Sequence, residues 1–407
     1  MWKNCPTQAK ASRNINFLEK LELLVELPLS SSAACAARGA HINPFPREGA
    51  FLGAVLLGHR MSTPPRQRGV SLLAYFLWSH QARPTFAKWP GSQGDQEDVL
   101  QDLFYGLIGT ANRFCVEFGG CPGVPGSNTV RLRSNNTVPL RVLPRYREIH
   151  TRWSGLLLEG SPKCRPKNFD LRPGTQFHKA WIGSDTIVDL FDKYGVPTEV
   201  DYVSIDLDTV DLWVLRALLT PPSKYRPRVF TIEYNGNFGS DDALTMPDPT
   251  TMPVAPFNLT DEHMVHAGKP NAYQAALCYQ GATARAIELV AQEFGYVIVN
   301  KTLGLDLFLV RKDLWHWRVP TLEELHVNKC MNAPMTPDMA ANLLDFQTYR
   351  RHESASLSER LCEANRAAAA KLNQLARTGS CRERCFKHLQ EPLPESPACR
   401  QVRLGRS

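Results

Sequence analysis

The chain of 407 residues lacks several features that would narrow its function. No apolar run approaches the roughly 20 residues that a helix needs to cross a bilayer, and the apolar stretch AFLGAVLLG at 50–58 is too short. None of the eleven cysteines forms a C-x-x-C pair, so a structural zinc site is not indicated. The net charge of +7 is spread along the chain rather than gathered in one basic block, so a nucleic-acid partner is not indicated either. We expect a soluble, cytoplasmic protein without a membrane span, with an organellar or secreted location as the open alternative.

The composition and apolar pattern of the sequence change three times along the chain, which predicts four regions. Residues 1–95 mix one short helical pattern with Ser, Pro and Arg, which indicates a poorly ordered N-terminal extension. Residues 96–318 alternate short apolar runs with longer amphipathic ones, which is typical of an α/β domain. Residues 319–377 predict a helical C-terminal extension, and 378–407 a disordered tail. Three cysteines in this tail are expected to be free thiols, with a disulfide in an oxidising compartment as the alternative: Cys381, Cys385 and Cys399.

Seven short apolar runs within 96–318 predict the strands of a mostly parallel sheet. They are FCVEFG (114–119), GLLLEG (155–160), QFHKAW (176–181), YVSIDLD (202–208), RVFTIEYN (228–235), YVIVNK (296–301) and LDLFLVR (305–311). The intervening helices are predicted at 98–111, 184–194, 210–219 and 272–294. Four of the strands end in acids or amides, namely Glu117, Glu159, Asp206 with Asp208, and Glu233 with Asn235. Because ligands of open parallel sheets bind beyond the carboxyl ends of the strands, these side chains predict a site there.

The order of several motifs resembles a known family. FCVEFGG followed by SNT, then WSGLLLEGS, DYVSIDLDTVDLWVLRALL, YRPRVFTIEYNGNF, GATARAIELVAQEFGYVIV and LGLDLFLVRKDL occur in that order over about residues 100–315. In this the chain is similar to class I, Rossmann-like methyltransferases, in particular the FkbM-like branch and related uncharacterised proteins. The resemblance implies a doubly wound, mostly parallel seven-stranded sheet that ends in an antiparallel hairpin. It also implies S-adenosyl-L-methionine as the cofactor and O-methylation of a small-molecule or sugar hydroxyl.

The resemblance assigns the turn after the first strand to the methionine part of the cofactor. Gly119 and Gly120 would allow the backbone to approach that group closely. Glu117 would either hold the cofactor's ammonium group or orient the loop. The loop itself, EFGGCPGVPG, departs from the acid-x-Gly-x-Gly-x-Gly pattern of a strong cofactor signature, and its prolines remove N–H donors.

The adenosine part of the cofactor is assigned to the next two strand ends. Glu159 would accept hydrogen bonds from the ribose hydroxyls, as the corresponding acid does in dinucleotide folds, and Trp181 with Ile182 would flank the adenine ring. Glu159 follows Glu117 by 42 positions, whereas the acid of a dinucleotide fold follows its glycine loop by about 20. The excess lies in 121–152, as either a lineage-specific loop or an artefact of the gene model.

Catalysis is assigned to the fourth strand end, beside the reacting methyl group. Asp206 and Asp208 are candidates for orienting or deprotonating the acceptor. Glu233 and Asn235 are candidates for binding the acceptor. Asn235 has the alternative role of forming an Asn-Gly turn. Asp211 is interpreted as a cap or first-turn acid of the following helix. Methyl transfer from a sulfonium requires no metal, so we expect neither a metal site nor a need for magnesium.

Two other functions are compatible with the same residues. DLDTV at 206–210 matches the motif of haloacid dehalogenase-like phosphatases, in which Asp206 would be the nucleophile and Asp208 the general acid of a magnesium-dependent reaction. That motif belongs to the first strand of those domains, whereas here three predicted strands precede it. The degenerate glycine loop also fits a catalytically inactive, methyltransferase-like binding module.

Overall fold

The structure, a computed structural model, describes residues 95–405 with several internal gaps. The gaps are 120–126, 134–136, 139–148, 151–152, 163, 165–173, 253–279, 303–304, 329, 331–334, 336, 380, 382–384, 387–388 and 390–392. The predicted N-terminal extension, 1–95, therefore lies outside the described residues except for Asp95, and so does Gly120. The described residues belong to one compact unit, Leu77–Ser407.

The strands of the described residues form one large sheet and two short pairs. In chain order they are β1 Phe114–Phe118, β2 Thr137–Val138, β3 Ile149–His150, β4 Ser154–Glu159, β5 Thr175–Lys179, β6 Tyr202–Ile205, β7 Val229–Glu233, β8 Leu244–Thr245, β9 Tyr296–Lys301, β10 Asp306–Arg311 and β11 Leu344–Asp345. The short pairs are β2 with β3 and β8 with β11, both antiparallel.

Helices connect these strands and continue to the C-terminus. In chain order they are α1 Gln96–Gln101, extended by a π-helix at Asp102–Leu107, α2 Val130–Arg133, α3 Ile187–Lys193, α4 Asp211–Leu219, α5 Ala284–Glu293, α6 Pro337–Ala340, α7 Phe346–Arg351, α8 Leu357–Thr378 and α9 Pro397–Arg403. A 3-10 helix spans Lys312–Leu314. Within the described part of the chain, no helix has both the length and the apolar character needed to cross a membrane.

The large sheet has seven strands in the order β5-β4-β1-β6-β7-β10-β9. Its strands pair in parallel except β10, which runs antiparallel to both β7 and β9. The central strands are buried along nearly their whole length, as strands covered on both faces must be. The predicted α/β fold with a mostly parallel seven-stranded sheet is therefore confirmed, and all seven predicted strands are present.

The described part of one predicted helix begins at Ala284. The pattern predicts a helix over 272–294; α5 covers Ala284–Glu293, the residues 280–283 before it are not helical, and 272–279 lie outside the described residues. Gly281 has a φ of +72°, which is incompatible with a right-handed helix, and the Thr283 side chain accepts a hydrogen bond from Ala286 N at 3.3 Å. Thr283 is thus the N-cap, and it sets the start of the helix.

The C-terminal helix α8 packs one face into the protein. Ser356 and Glu359 form a reciprocal capping box at its start. Its buried residues repeat at helical spacing: Leu361, Ala364, Ala368 and Leu372. This helix occupies nearly the span that the Ala-rich pattern at 355–376 predicts.

The predicted disordered tail contains buried and cross-linked residues. Cys381, Cys385 and Phe386 are at most 1% exposed, and α9 follows them. The prediction of free thiols is wrong: Cys381 is bonded to Cys330, Cys399 to Cys362, and Cys385 is also disulfide-bonded. Disulfides allow a short segment with little apolar surface to stay folded, which is why its composition alone suggests disorder.

Removing the bond between α8 and α9 is expected to destabilise this region. Because the link closes a loop of 37 residues, the double variant Cys362→Ser/Cys399→Ser should lose about 2–4 kcal/mol of unfolding free energy. Denaturant unfolding under non-reducing conditions measures the loss. Wild-type protein in reductant, which breaks the other disulfides as well, should be at least as destabilised as the variant. Equal stability of the two proteins without reductant would contradict the disulfide.

Candidate functional site

The centre of the sheet's carboxyl edge lies between β1 and β6. The chain moves from β1 to β4 and β5 on one side and then to β6 on the other, so the direction of strand addition reverses at this point. Gly119, directly after β1, has a φ of +73°, and a Cβ on it would lie 1.7 Å from the carbonyl oxygen of Asp206. Only glycine allows the two strand ends to approach this closely.

Glu117 orients the loop that follows β1. Its carboxylate, which is 1% exposed, accepts hydrogen bonds from Ser127 Oγ at 2.8 Å, Asn128 N at 2.7 Å and Thr129 N at 3.2 Å. The Thr129 hydroxyl donates a fourth. Of the two roles the sequence allows for Glu117, these contacts fit loop orientation, because the donors fill its acceptor sites. They also fix 127–129, part of the 121–152 excess, to the sheet.

A shelf forms at the end of β4 from Glu159, Gly160 and Trp181. Glu159 Oε1 accepts a hydrogen bond from Ser161 N at 2.6 Å, and burial raises the pKa of its carboxyl above the ordinary value. The Trp181 ring stands beside Gly160, 3.4 Å from where a Cβ would lie. Trp181 is 71% exposed, whereas the neighbouring Ile182 is 6% exposed and packs into the core. The shelf thus combines an acid that is only 6% exposed with an open aromatic face.

Five carboxyl groups gather at the ends of β6, β7 and β10, and we call them the carboxylate cluster. One oxygen from each of Asp206, Asp208 and Glu233 lies within 4.8 Å of the others. Asp306 is the direct partner of Glu233 in the antiparallel ladder, and the charge of Asp211 acts on Asp206 and Glu233. The structure therefore unites Asp206, Asp208 and Glu233, which the sequence predicts separately.

The pKa values of all five cluster carboxyls lie above their ordinary values. Burial, reinforced by neighbouring negative charges, raises the pKa of Asp206 and Glu233 well above ordinary values. Burial also raises the pKa of Asp208, against the effect of its hydrogen bond with Glu233, that of Asp211 to about 7 and that of Asp306 to about 6. None of the five forms a salt bridge with a described Lys or Arg.

The turn that carries Asp208 is held in an uncommon backbone conformation. Asp208 has a φ of +60°, in the left-handed region where Asp and Asn are among the few tolerated residues. Asp211, the first residue of α4, accepts a hydrogen bond from Leu207 N at 2.8 Å and thereby fixes this turn. The prediction of a first-turn acid is confirmed. Its Oδ2 is buried and has no partner among the described residues.

Asn235 serves the turn after β7. Its side-chain amide donates to Gln280 O at 2.8 Å, and its Oδ1 accepts from Asn237 N at 3.1 Å and from the Asn237 amide at 2.8 Å. These contacts fit the turn-forming alternative for Asn235 rather than substrate binding.

Sequence reasoning did not assign three polar residues near this edge. Asn128 donates to Ser204 Oγ at 3.2 Å and to Asp206 Oδ2 at 3.5 Å. Asp306 begins β10, and the Tyr234 hydroxyl is buried without a partner among the described residues. The sequence signal for Asn128 is the SNT motif after the glycine loop. The signal for Asp306, an acid at the start of a strand, is weaker.

No protein-family model matches the chain, and no curated protein matches it.

Proposed function

We propose that residues 96–318 form a doubly wound, Rossmann-like methyltransferase that uses S-adenosyl-L-methionine to methylate a hydroxyl of a small molecule or sugar. The strand order supports this proposal. Numbered along the chain, the main-sheet strands lie in the order 3-2-1-4-5-7-6, and the first five follow the order of Rossmann folds. The residues expected for the ligand lie where those folds bind theirs, at the switch point.

The observation that carries the proposal is the shelf of Glu159, Gly160 and Trp181. A nucleoside fits it, because a strand-end carboxylate can accept both ribose hydroxyls and an exposed indole face can stack on adenine. The Trp181 ring lies against Gly160, where a side chain would contact it. Trp181 is the residue suited to the adenine, since Ile182 is buried. The donor set therefore suits the adenosine part of the cofactor.

The carboxylate cluster stands at the right separation from the shelf for the other end of the ligand. Strands β4 and β6 flank β1, so their ends are about 10 Å apart, twice the usual strand spacing. When bound, the cofactor supplies a methyl group already activated by its sulfonium. Asp206 and Asp208 would hold the acceptor hydroxyl in line with it, and a carboxylate of this pair would accept the hydroxyl proton.

Glu159→Gln is expected to weaken cofactor binding while the fold stays intact. A hydrogen bond to a charged group contributes about 1.5–3 kcal/mol, so the affinity should fall by roughly ten- to a hundredfold. Calorimetric titration of the full chain with S-adenosylmethionine, and with its demethylated product, measures this change. Trp181→Ala should also weaken binding, through loss of stacking.

A matched control is Glu353→Gln, because Glu353 is an exposed acid of an ion pair away from the sheet edge. Its affinity for the cofactor should equal that of the wild type. If the wild type is folded by circular dichroism and binds neither compound, the proposal is wrong and the binding module is favoured. If it binds but Glu159→Gln binds equally well, the ribose assignment is wrong.

We further propose that the protein matures in an oxidising compartment. Six described cysteines are in disulfide bonds: Cys164, Cys330, Cys362, Cys381, Cys385 and Cys399. Such bonds persist in secreted and luminal proteins and are rare in the cytoplasm, where thiols are kept reduced. They do not fit the cytoplasmic localisation expected from the sequence.

A further inference from the structure

We propose that Asp206, Asp208 and Glu233 bind a hard divalent cation, Mg²⁺ or Mn²⁺, at the carboxyl edge of the sheet. These cations prefer carboxylate oxygens, and the three ligand atoms lie within 4.8 Å of one another. Two ligands of one octahedral Mg²⁺, each at about 2.1 Å, are separated by roughly 3.0 Å when adjacent and 4.2 Å when opposite. Side-chain movements of at most about 2 Å would therefore close the site, and none of the three residues is fully buried.

The charge of the site calls for such an ion. Asp211 and Asp306 add two further carboxyl groups, and no described Lys or Arg forms a salt bridge with any of the five. Oxygens of Asp208 and Glu233 lie within 4.8 Å of each other and of an Asp206 oxygen. A divalent cation between these carboxylates would offset their mutual repulsion.

Two buried side chains beside the triad point independently to a ligand. Asn128 is 2% exposed and places its amide nitrogen 3.5 Å from Asp206 Oδ2, yet its Oδ1 has no partner among the described residues. Asp211 is 1% exposed, and its Oδ2 is likewise unpartnered there. Buried polar atoms without partners are rare in proteins. Water molecules of a bound Mg²⁺, which keeps several of them, would donate hydrogen bonds to both oxygens.

The inference differs from the sequence-based expectation that no metal is involved. Three carboxylates leave about three positions of an octahedral ion for water or for a ligand oxygen. The site needs only Asp206 and Asp208, in the turn after β6, and Glu233 at the end of β7. It does not depend on cofactor binding. A metal-binding measurement therefore tests it separately from the methyltransferase proposal.

The test is a titration of the full-length, chelator-treated protein with Mn²⁺, followed by the loss of the free-ion signal in electron paramagnetic resonance. We expect one bound ion per chain, competition by Mg²⁺, and at least tenfold weaker binding by Asp208→Asn and by Glu233→Gln. Asn is among the residues that tolerate the positive φ of Asp208, so the first variant should fold.

Glu159→Gln is the matched control, since Glu159 is also a strand-end acid but belongs to the shelf. It should bind Mn²⁺ as the wild type does, even if its cofactor affinity falls. Mn²⁺ should raise the melting temperature of the wild type and of this control, but not that of Asp208→Asn. A folded wild type that takes up no Mn²⁺ would overturn the proposal, as would a folded Asp208→Asn variant with unchanged affinity.

Discussion

Replacing Gly119 with alanine is expected to lower the free energy of unfolding by about 3 kcal/mol or more and to abolish ligand binding at the switch point. The left-handed backbone of Gly119, with a φ of +73°, costs an alanine about 1–2 kcal/mol. The new methyl would lie 1.7 Å from the Asp206 carbonyl oxygen, and relieving such overpacking typically costs about 1–3 kcal/mol more. The oxygen belongs to the backbone, so the end of β6 would have to move, and Asp206 with it.

Gly195→Ala separates these two contributions. Gly195 has a similar φ of +64°, but nothing lies within 4 Å of the position that its Cβ would take. It should lose only the backbone part, about 1–2 kcal/mol, and keep ligand binding. Denaturant unfolding of both variants measures the difference. Equal losses would mean that the close approach of the two strand ends does not restrict this position.

The strands were predictable because burial on both faces leaves a local signature. YVSI and GLLLE consist mostly of apolar residues, so composition alone indicates buried strands there. The limits of α5 were less predictable, because Gly281 and Thr283 act through backbone angles and a capping bond rather than through apolar periodicity. The apolar pattern identifies an element, and the capping chemistry decides where it begins.

The site was predictable only in part. The acids at the ends of β4, β6 and β7 follow buried runs, which places them at one edge of any parallel sheet. The position of Asp306 depends instead on the register of an antiparallel pair, and that of Asn128 on hydrogen bonds to Glu117 and Ser204 across the fold. Pairings between distant segments, the disulfides among them, leave no periodic trace in the sequence.

Asp201→Ala is expected to be among the most destabilising single changes at the opposite edge of the sheet, which sequence analysis did not assign. Asp201 is completely buried and accepts hydrogen bonds from the backbone N–H groups of Ala111, Asn112 and Arg113 at 2.6–2.9 Å. Its Oδ1 also lies 2.9 Å from Arg228 Nε. Alanine would leave three donors unsatisfied and one guanidinium without its counter-ion, at a cost of about 3–5 kcal/mol.

The double variant Asp201→Ala/Arg228→Met tests the physical reason for this loss. If much of the loss comes from an uncompensated buried charge, the double variant should be less destabilised than the two single losses combined, with a coupling of roughly 0.5–3 kcal/mol. Glu363→Ala is the control, because its salt bridge with Arg366 is exposed and such pairs contribute at most about 1 kcal/mol. Denaturant unfolding distinguishes the cases. If the Asp201→Ala variant were as stable as the control, water would have to replace Asp201 as the hydrogen-bond partner of the three backbone N–H groups and of Arg228. The start of β6 would then be held by the apolar core alone, and the carboxyl edge that carries both proposed sites would not depend on this buried charge.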